Sequence, residues 1–199
     1  NTSSALSVSS FVVDTTAPTL SSVAISSNNS KDTTKAKVGN TITLSTTSAE
    51  ATQSYTVSIA GETATVNGSG TSWQATYTMT SSYSEGAVSF SIDFSDLSGN
   101  AASTISSTTN SSAVQFDKTA PSLSQVTAVT TPTGDTTPSY IFSSNEAGTI
   151  GVSGGCSTST TAASSGNNTI TFNALSDATY GSCTVTVTDN ASNVSSQLS

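Results

Sequence analysis

Val88-Ser89-Phe90-Ser91-Ile92-Asp93-Phe94-Ser95-Asp96-Leu97-Ser98-Gly99-Asn100 is the stretch on which the fold turns. Val88, Phe90, Ile92 and Phe94 alternate with Ser and Asp, so all four apolar side chains fall on one face of an extended strand. The run closes on Asp96-Leu97-Ser98-Gly99-Asn100, whose Gly and Asn mark a turn. The same period of two appears upstream at Ile42 and Leu44, at Tyr55, Val57 and Ile59, and at Trp73, Ala75, Tyr77 and Met79. Val114 and Phe116 follow downstream. With a strand over 20–25 and a short one over 63–66, about seven strands are predicted and helix signals are nearly absent.

The landmarks around this strand occur twice, in one order. Asp14-Thr15-Thr16-Ala17-Pro18 recurs as Asp117-Lys118-Thr119-Ala120-Pro121, and Ser48-Ala49-Glu50 as Ser144-Asn145-Glu146. The turn at Asp96 recurs as Asp189-Asn190-Ala191-Ser192-Asn193. Kept order with drifting spacing is the mark of a duplicated module whose loops have changed length. The second copy predicts strands over 123–129, 139–143, 149–153, 169–173 and 182–188, with a last one over 194–198. Short strands, regular Gly/Asn/Pro turns and half-polar faces predict an all-β chain of two tandem immunoglobulin-like antiparallel β-sandwiches. The expected division is 14–116 and 117–199. Phe11-Val12-Val13-Asp14 parallels Val114-Gln115-Phe116-Asp117. Residues 1–13 are therefore expected to be the end of a preceding repeat or a linker, and the chain a piece of a longer protein.

An immunoglobulin-like path gathers the start of strand A and the B–C and F–G loops at one pole. Asp14, Glu50 and Asp96 should meet there, and Asp117, Glu146 and Asp189 should do so in the second module. Such a set suits a hard divalent cation, which takes six to eight oxygens. The alternative is that each Asp caps a turn through its own backbone. Glu85, on the loop expected to face the junction, is a further candidate ligand. Cys156 and Cys183 share the inward parity of Ile150–Val152 and Val185–Val187, on strands expected to be neighbours. A disulfide between them is expected, with two buried thiols as the alternative.

Composition narrows the function. The chain of 199 residues has a net charge of −8, with Lys+Arg 4 and no His. That excludes the basic footprint nucleic acid requires and an anionic membrane surface. No run of eighteen apolar residues is present, so no membrane-inserting helix is expected. Without His, a nucleophile motif or a phosphate loop, no enzyme is expected, and Asp93 with Asp96 is read as a strand-end pair. Trp73 alternates with Ala75 and Tyr77 and is read as core rather than as a sugar-stacking platform, while Tyr83 and Tyr180 are assigned to loops and strand starts. Asn28, Asn67, Asn110, Asn167 and Asn190 head Asn-x-Ser/Thr sequons, frequent by chance in a Ser/Thr-rich chain.

The repeated Asp-x-Thr-Ala-Pro opening and the Asp-x-x-Gly-Asn turn after a Val/Phe/Ile-alternating strand resemble bacterial immunoglobulin-like repeats, over residues 14–199. Ser192 departs from the pattern by standing where Gly is usual, so a left-handed turn there would be strained. The resemblance implies a calcium-stiffened rod, with Asp14, Glu50, Asp96 and Asn100 as first-module ligand candidates and Asp117, Glu146, Asp189 and Asn193 as the second set. It implies structural spacer or stalk repeats of a secreted, adhesin-like bacterial cell-surface protein. The partners implied are neighbouring repeats of the same chain. The other reading is an adhesion module that binds a host, matrix or glycan ligand directly.

Overall fold

The computed structural model describes residues 11–199. These residues form strands, bridges and turns with no helix among them. Sixteen strands follow in chain order. The first ten are β1 (Leu20–Ser27), β2 (Lys35–Ala36), β3 (Thr41–Ser48), β4 (Thr52–Ile59), β5 (Glu62–Thr63), β6 (Thr65–Ser69), β7 (Ser72–Thr78), β8 (Gly86–Ala87), β9 (Phe90–Asp96) and β10 (Gln115–Phe116). The remaining six are β11 (Leu123–Thr127), β12 (Ser139–Ser144), β13 (Gly148–Ser153), β14 (Ala162–Ala163), β15 (Gly166–Thr171) and β16 (Thr184–Thr188). They pair as sheets of order β1-β3-β7-β6, β5-β4-β9, β2-β10-β8, β11-β12-β15 and β14-β13-β16. Strand β10 lies parallel to β2 and antiparallel to β8, and β4 with β5 and β9, β6 with β7, β12 with β11 and β15, and β13 with β14 and β16 pair antiparallel. The last predicted strand, 194–198, is reduced to two bridges, Thr188 with Val194 and Val185 with Leu198.

The described residues group into two compact units. Unit 1 takes residues 11–25, Thr43–Tyr77 and Ser89–Ser112; unit 2 takes Ser26–Ile42, Thr78–Val88 and Ala113–Ser199. A cut of the sequence at 117 and this spatial grouping are different partitions, because 26–42 and 78–88 precede 117 yet belong with the second half.

In unit 1, inward side chains alternate as the period of two requires: Leu44, Thr46 and Ser48 on β3, and Phe90, Ile92 and Phe94 on β9. Strand β4 breaks its own parity, since both Thr52 and Val57 are buried. A bulge between Gln53 and Thr56, with Ser54 at φ 55°, absorbs the odd residue. It turns Tyr55 to stack on Trp73 of β7 at 4.6 Å and on Phe94 of β9 at 5.0 Å. Trp73 is half-buried, and its Nε1 donates to Thr52 Oγ1 (3.1 Å) and Gly70 O (3.2 Å). The aromatic stack thus joins β7 to the β4–β9 pair.

In unit 2 the core is Tyr140, Phe142, Ile150, Cys156, Ala163, Ile170, Phe172, Val185 and Val187. Strand β13 pairs with β16 so that Ile150 lies opposite Val187 and Val152 opposite Val185. Just beyond the ends of this pair Cys156 and Cys183 are joined in a disulfide, with Cα atoms 5.6 Å apart. Gly154 makes the approach possible. It has φ +79°, and a Cβ there would lie 1.7 Å from Ser182 O.

Candidate metal centres

Strand β9 carries inward residues at 90, 92 and 94, and the next inward position is Asp96, 1% exposed. Strand β16 does the same: after Val185 and Val187 comes Asp189, 2% exposed. A carboxylate in the file of core residues requires compensation. The following turn supplies it. Asn100 N–H donates to Asp96 Oδ1 (2.8 Å), and Asn100 Nδ2 donates to Asp96 Oδ2 (2.7 Å) and to Asp14 O (3.1 Å). In unit 2, Asn193 N–H donates to Asp189 Oδ1 (2.8 Å), and Asn193 Nδ2 to Asp189 Oδ2 (2.9 Å) and Asp117 O (3.1 Å). The two networks are the same, bond for bond. Each Asn presents its amide nitrogen to the carboxylate and clamps two distant segments together.

The other two members of each set arrive from the expected loops. Asp14 and Asp117 each accept the N–H of the residue two positions on, Thr16 or Thr119, at 3.0 Å through Oδ1. These are Asx turns, which engage Oδ1; a carboxylate has a second oxygen, so capping a turn and ligating an ion are compatible. Glu50 and Glu146 follow Ser48 and Ser144, buried at the inward parity of β3 and β12, whose hydroxyls donate to the Glu carbonyls at 2.5 and 2.6 Å. Asp14, Glu50 and Asp96 bring one carboxylate oxygen each within 4.8 Å of one another, and Asp117, Glu146 and Asp189 do the same. The predicted triplets therefore meet. Opposite ligands around one Ca²⁺ at about 2.4 Å would be about 4.8 Å apart, so each cluster has the span of such a site.

Burial and hydrogen bonding pull these carboxylates in opposite senses. Burial, then the neighbouring carboxylates Asp189 and Glu85, pushes Asp117 above the usual range. Burial, then Asp189, Asp117 and Glu85, pushes Glu146 up as well. At Asp96 burial acts in the same sense, but the side chain of Asn100 and the N–H groups of Asn100, Gly99 and Ser98 together outweigh it and hold the carboxyl low. Glu85 lies outside the 4.8 Å triplet. Its Oε1 accepts Lys118 N–H (2.9 Å) and Thr119 Oγ1 (2.6 Å), which places it on the Asp117 loop.

Sequence reasoning missed the supports. Lys31 Nζ donates to Thr188 O (2.9 Å) and Asp189 O (2.7 Å), and Lys37 Nζ to Ser192 O (2.6 Å). Asn29 Nδ2 donates to Asn190 O (3.2 Å), and Ser192 Oγ to Asn29 Oδ1 (2.9 Å). Ser192 has φ 71°, against 92° at Gly99, so the expected left-handed position is present, and the Asn29 bond helps hold it. The buried parity of Asp96, Asp189, Ser48 and Ser144 was readable in the sequence; the lysine contacts, more than 150 residues distant, carried no local signal. No helix of the described residues is long and apolar enough to cross a membrane. Compared with known proteins, the chain matches no family model and no curated protein.

Proposed function

We propose that the chain is a pair of immunoglobulin-like modules of the bacterial repeat kind, serving as a calcium-rigidified spacer in an extracellular surface protein. The observation that carries this reading is the doubled acidic centre with its identical hydrogen-bond network. Conserving a network that brings three carboxylates together twice is costly unless a cation neutralises them. Calcium would bind Asp14, Glu50 and Asp96 in one centre and Asp117, Glu146 and Asp189 in the other, with Asn100 and Asn193 holding the buried Asp. Each ion would then pin three chain segments that otherwise separate when a module opens, which raises the barrier to stretching. The disulfide supports an oxidising, extracellular setting. Calorimetric titration of the chelated chain should give two calcium ions per chain, with Glu50→Gln and Glu146→Gln each removing one. Absence of binding heat, with a melting temperature equal in chelator and in millimolar calcium, refutes the reading.

A further inference from the structure

Among the described residues, the segment leading into Asp117 carries buried side chains, whereas the equivalent segment leading into Asp14 is exposed. In unit 2, β10 leads into Asp117 from between β2 and β8. Gln115 N–H donates to Thr34 O and Asp117 N–H to Ala36 O, both at 2.8 Å, and Val114 O accepts Val88 N–H at 2.9 Å. Val114 and Phe116 are 1% and 2% exposed. The matching segment of unit 1, Phe11-Val12-Val13, belongs to no strand and is 78%, 93% and 75% exposed. Glu85 Oε1 accepts Lys118 N–H and Thr119 Oγ1, at the positions equivalent to Thr15 and Thr16. The chain's four cationic side chains, Lys31, Lys35, Lys37 and Lys118, all belong to unit 2, so unit 1 itself contains none.

We infer that Phe11–Thr16 and the Asp96–Asn100 turn form a docking face for the pole of a further immunoglobulin-like module. That module would receive Phe11–Val13 as a strand between two short edge strands, offer a glutamate to Thr15 N–H and Thr16 Oγ1, and offer lysine ammonium groups to the carbonyls of the 96–100 turn. The occupant is defined by what already fills the equivalent face in unit 2: the 34–36 and 86–88 edges, Glu85, Lys31 and Lys37. An acidic centre beside three exposed apolar residues is complementary to a cationic pole with an unfilled strand gap, and strand addition supplies main-chain bonds that side-chain contact alone lacks. This rests on the modular reading above.

The test replaces residues 1–10 by a second copy of residues 14–113, so that Phe11-Val12-Val13-Asp14 follows that copy as Val114-Gln115-Phe116-Asp117 follows the first. Hydrogen exchange at the Val12 and Asp14 amides should slow by at least about 100-fold relative to the unfused chain. Val12→Pro, harmless where Val12 is exposed, should abolish the slowing by removing the donor. Equal exchange in the two proteins overturns the inference, as does dimerisation of the unfused chain through Phe11–Val13. A second measurement guards against a misfolded added copy. Val114→Phe, Gln115→Val and Phe116→Val, made together in the full chain, put the 11–13 sequence into the gap that exists. Protection at 115 and 117 should stay within about tenfold of the parent; a fall to the level of Val114→Ser with Phe116→Ser overturns the inference. Protected Val12 and Asp14 amides in a fusion that binds no calcium would sink the calcium reading and leave the docking intact.

Discussion

Glu146→Gln should act with opposite signs on the two states of the second centre. The substitution keeps the side chain's shape, and the Ser144 hydroxyl still donates to the residue 146 carbonyl. It removes one of three negative charges whose oxygens lie within 4.8 Å. Two unit charges at that distance repel by about 0.9 kcal/mol in water and about 3.5 kcal/mol at an effective dielectric of ~20. Glu146 and Asp117 are half-buried, so a net relief of about 1–2 kcal/mol is expected in chelator, towards the lower end of that range. That corresponds to a rise of about 2–8 °C in melting temperature if the whole chain unfolds as one, and of about 4–16 °C if the module melts alone. Calcium at a hundred times its dissociation constant would stabilise the parent by about 2.7 kcal/mol. The variant, short of one carboxylate, should recover less than half of that. Scanning calorimetry of both proteins in chelator and in excess calcium gives all four values. A variant less stable than the parent in chelator, or one with the parent's full calcium increment, refutes the argument that repulsion relieved by an ion is what this cluster stores.

Other outcomes follow from the same structure. Replacing Cys156 and Cys183 by Ala opens a loop with a sequence separation of 27 and should cost about 3.5 kcal/mol by chain entropy, read as a lower denaturant midpoint with calcium stoichiometry unchanged. Asn193→Ala removes the donor that joins Asp189 to the Asp117 carbonyl and should cost about 1.5–3 kcal/mol and weaken calcium binding at the second centre only, which titration beside Asn100→Ala will check. Asp117 and Glu146 titrate above their unfolded values, near 3.9 and 4.3. The stability they contribute is therefore whole below those values and is lost as pH rises through the folded ones. In chelator the chain should thus gain stability as pH falls from 7 towards about 5, while the calcium increment shrinks as protons compete. Asp96, Asp32 and Glu85 are held low, so their contribution is lost only at more acid pH; a steady fall in chelated stability between pH 7 and 5 contradicts this. Trp73→Ala should cost about 3–5 kcal/mol through the lost stack on Tyr55, with both calcium sites intact by titration.

The strands that sequence reading located best are those whose neighbours are covered on one side. In β9, β12 and β16 the alternation is a local property, because a pleated backbone turns successive side chains to opposite faces whatever the strand pairs with. The two-residue strands β8 and β14 left no such trace, since two residues do not make a period. Strand β4 misleads a simple parity count because its bulge changes face midway. The final strand, predicted over 194–198, contributes only two bridges. Its alternation in Val194 and Leu198 is real, but Val194 is exposed and the register is held at Val185 and Thr188 alone.

By itself the sequence determined the all-β class, the doubled landmarks and which acidic residues to watch, because residue order and period two are local quantities. It also held Asp96 and Asp189 at core parity, a burial that only a strong set of donors permits. Tertiary structure alone decided that residues as far apart as 14 and 96 bring their oxygens within 4.8 Å, that Asn100 and Asn193 clamp rather than merely border the centres, and that 26–42 and 78–88 group with the second half. Those facts depend on how loops of different length return across the sheets. No local pattern encodes such a path, because the energy that selects it comes from packing and from satisfying buried carboxylates between segments distant in the chain.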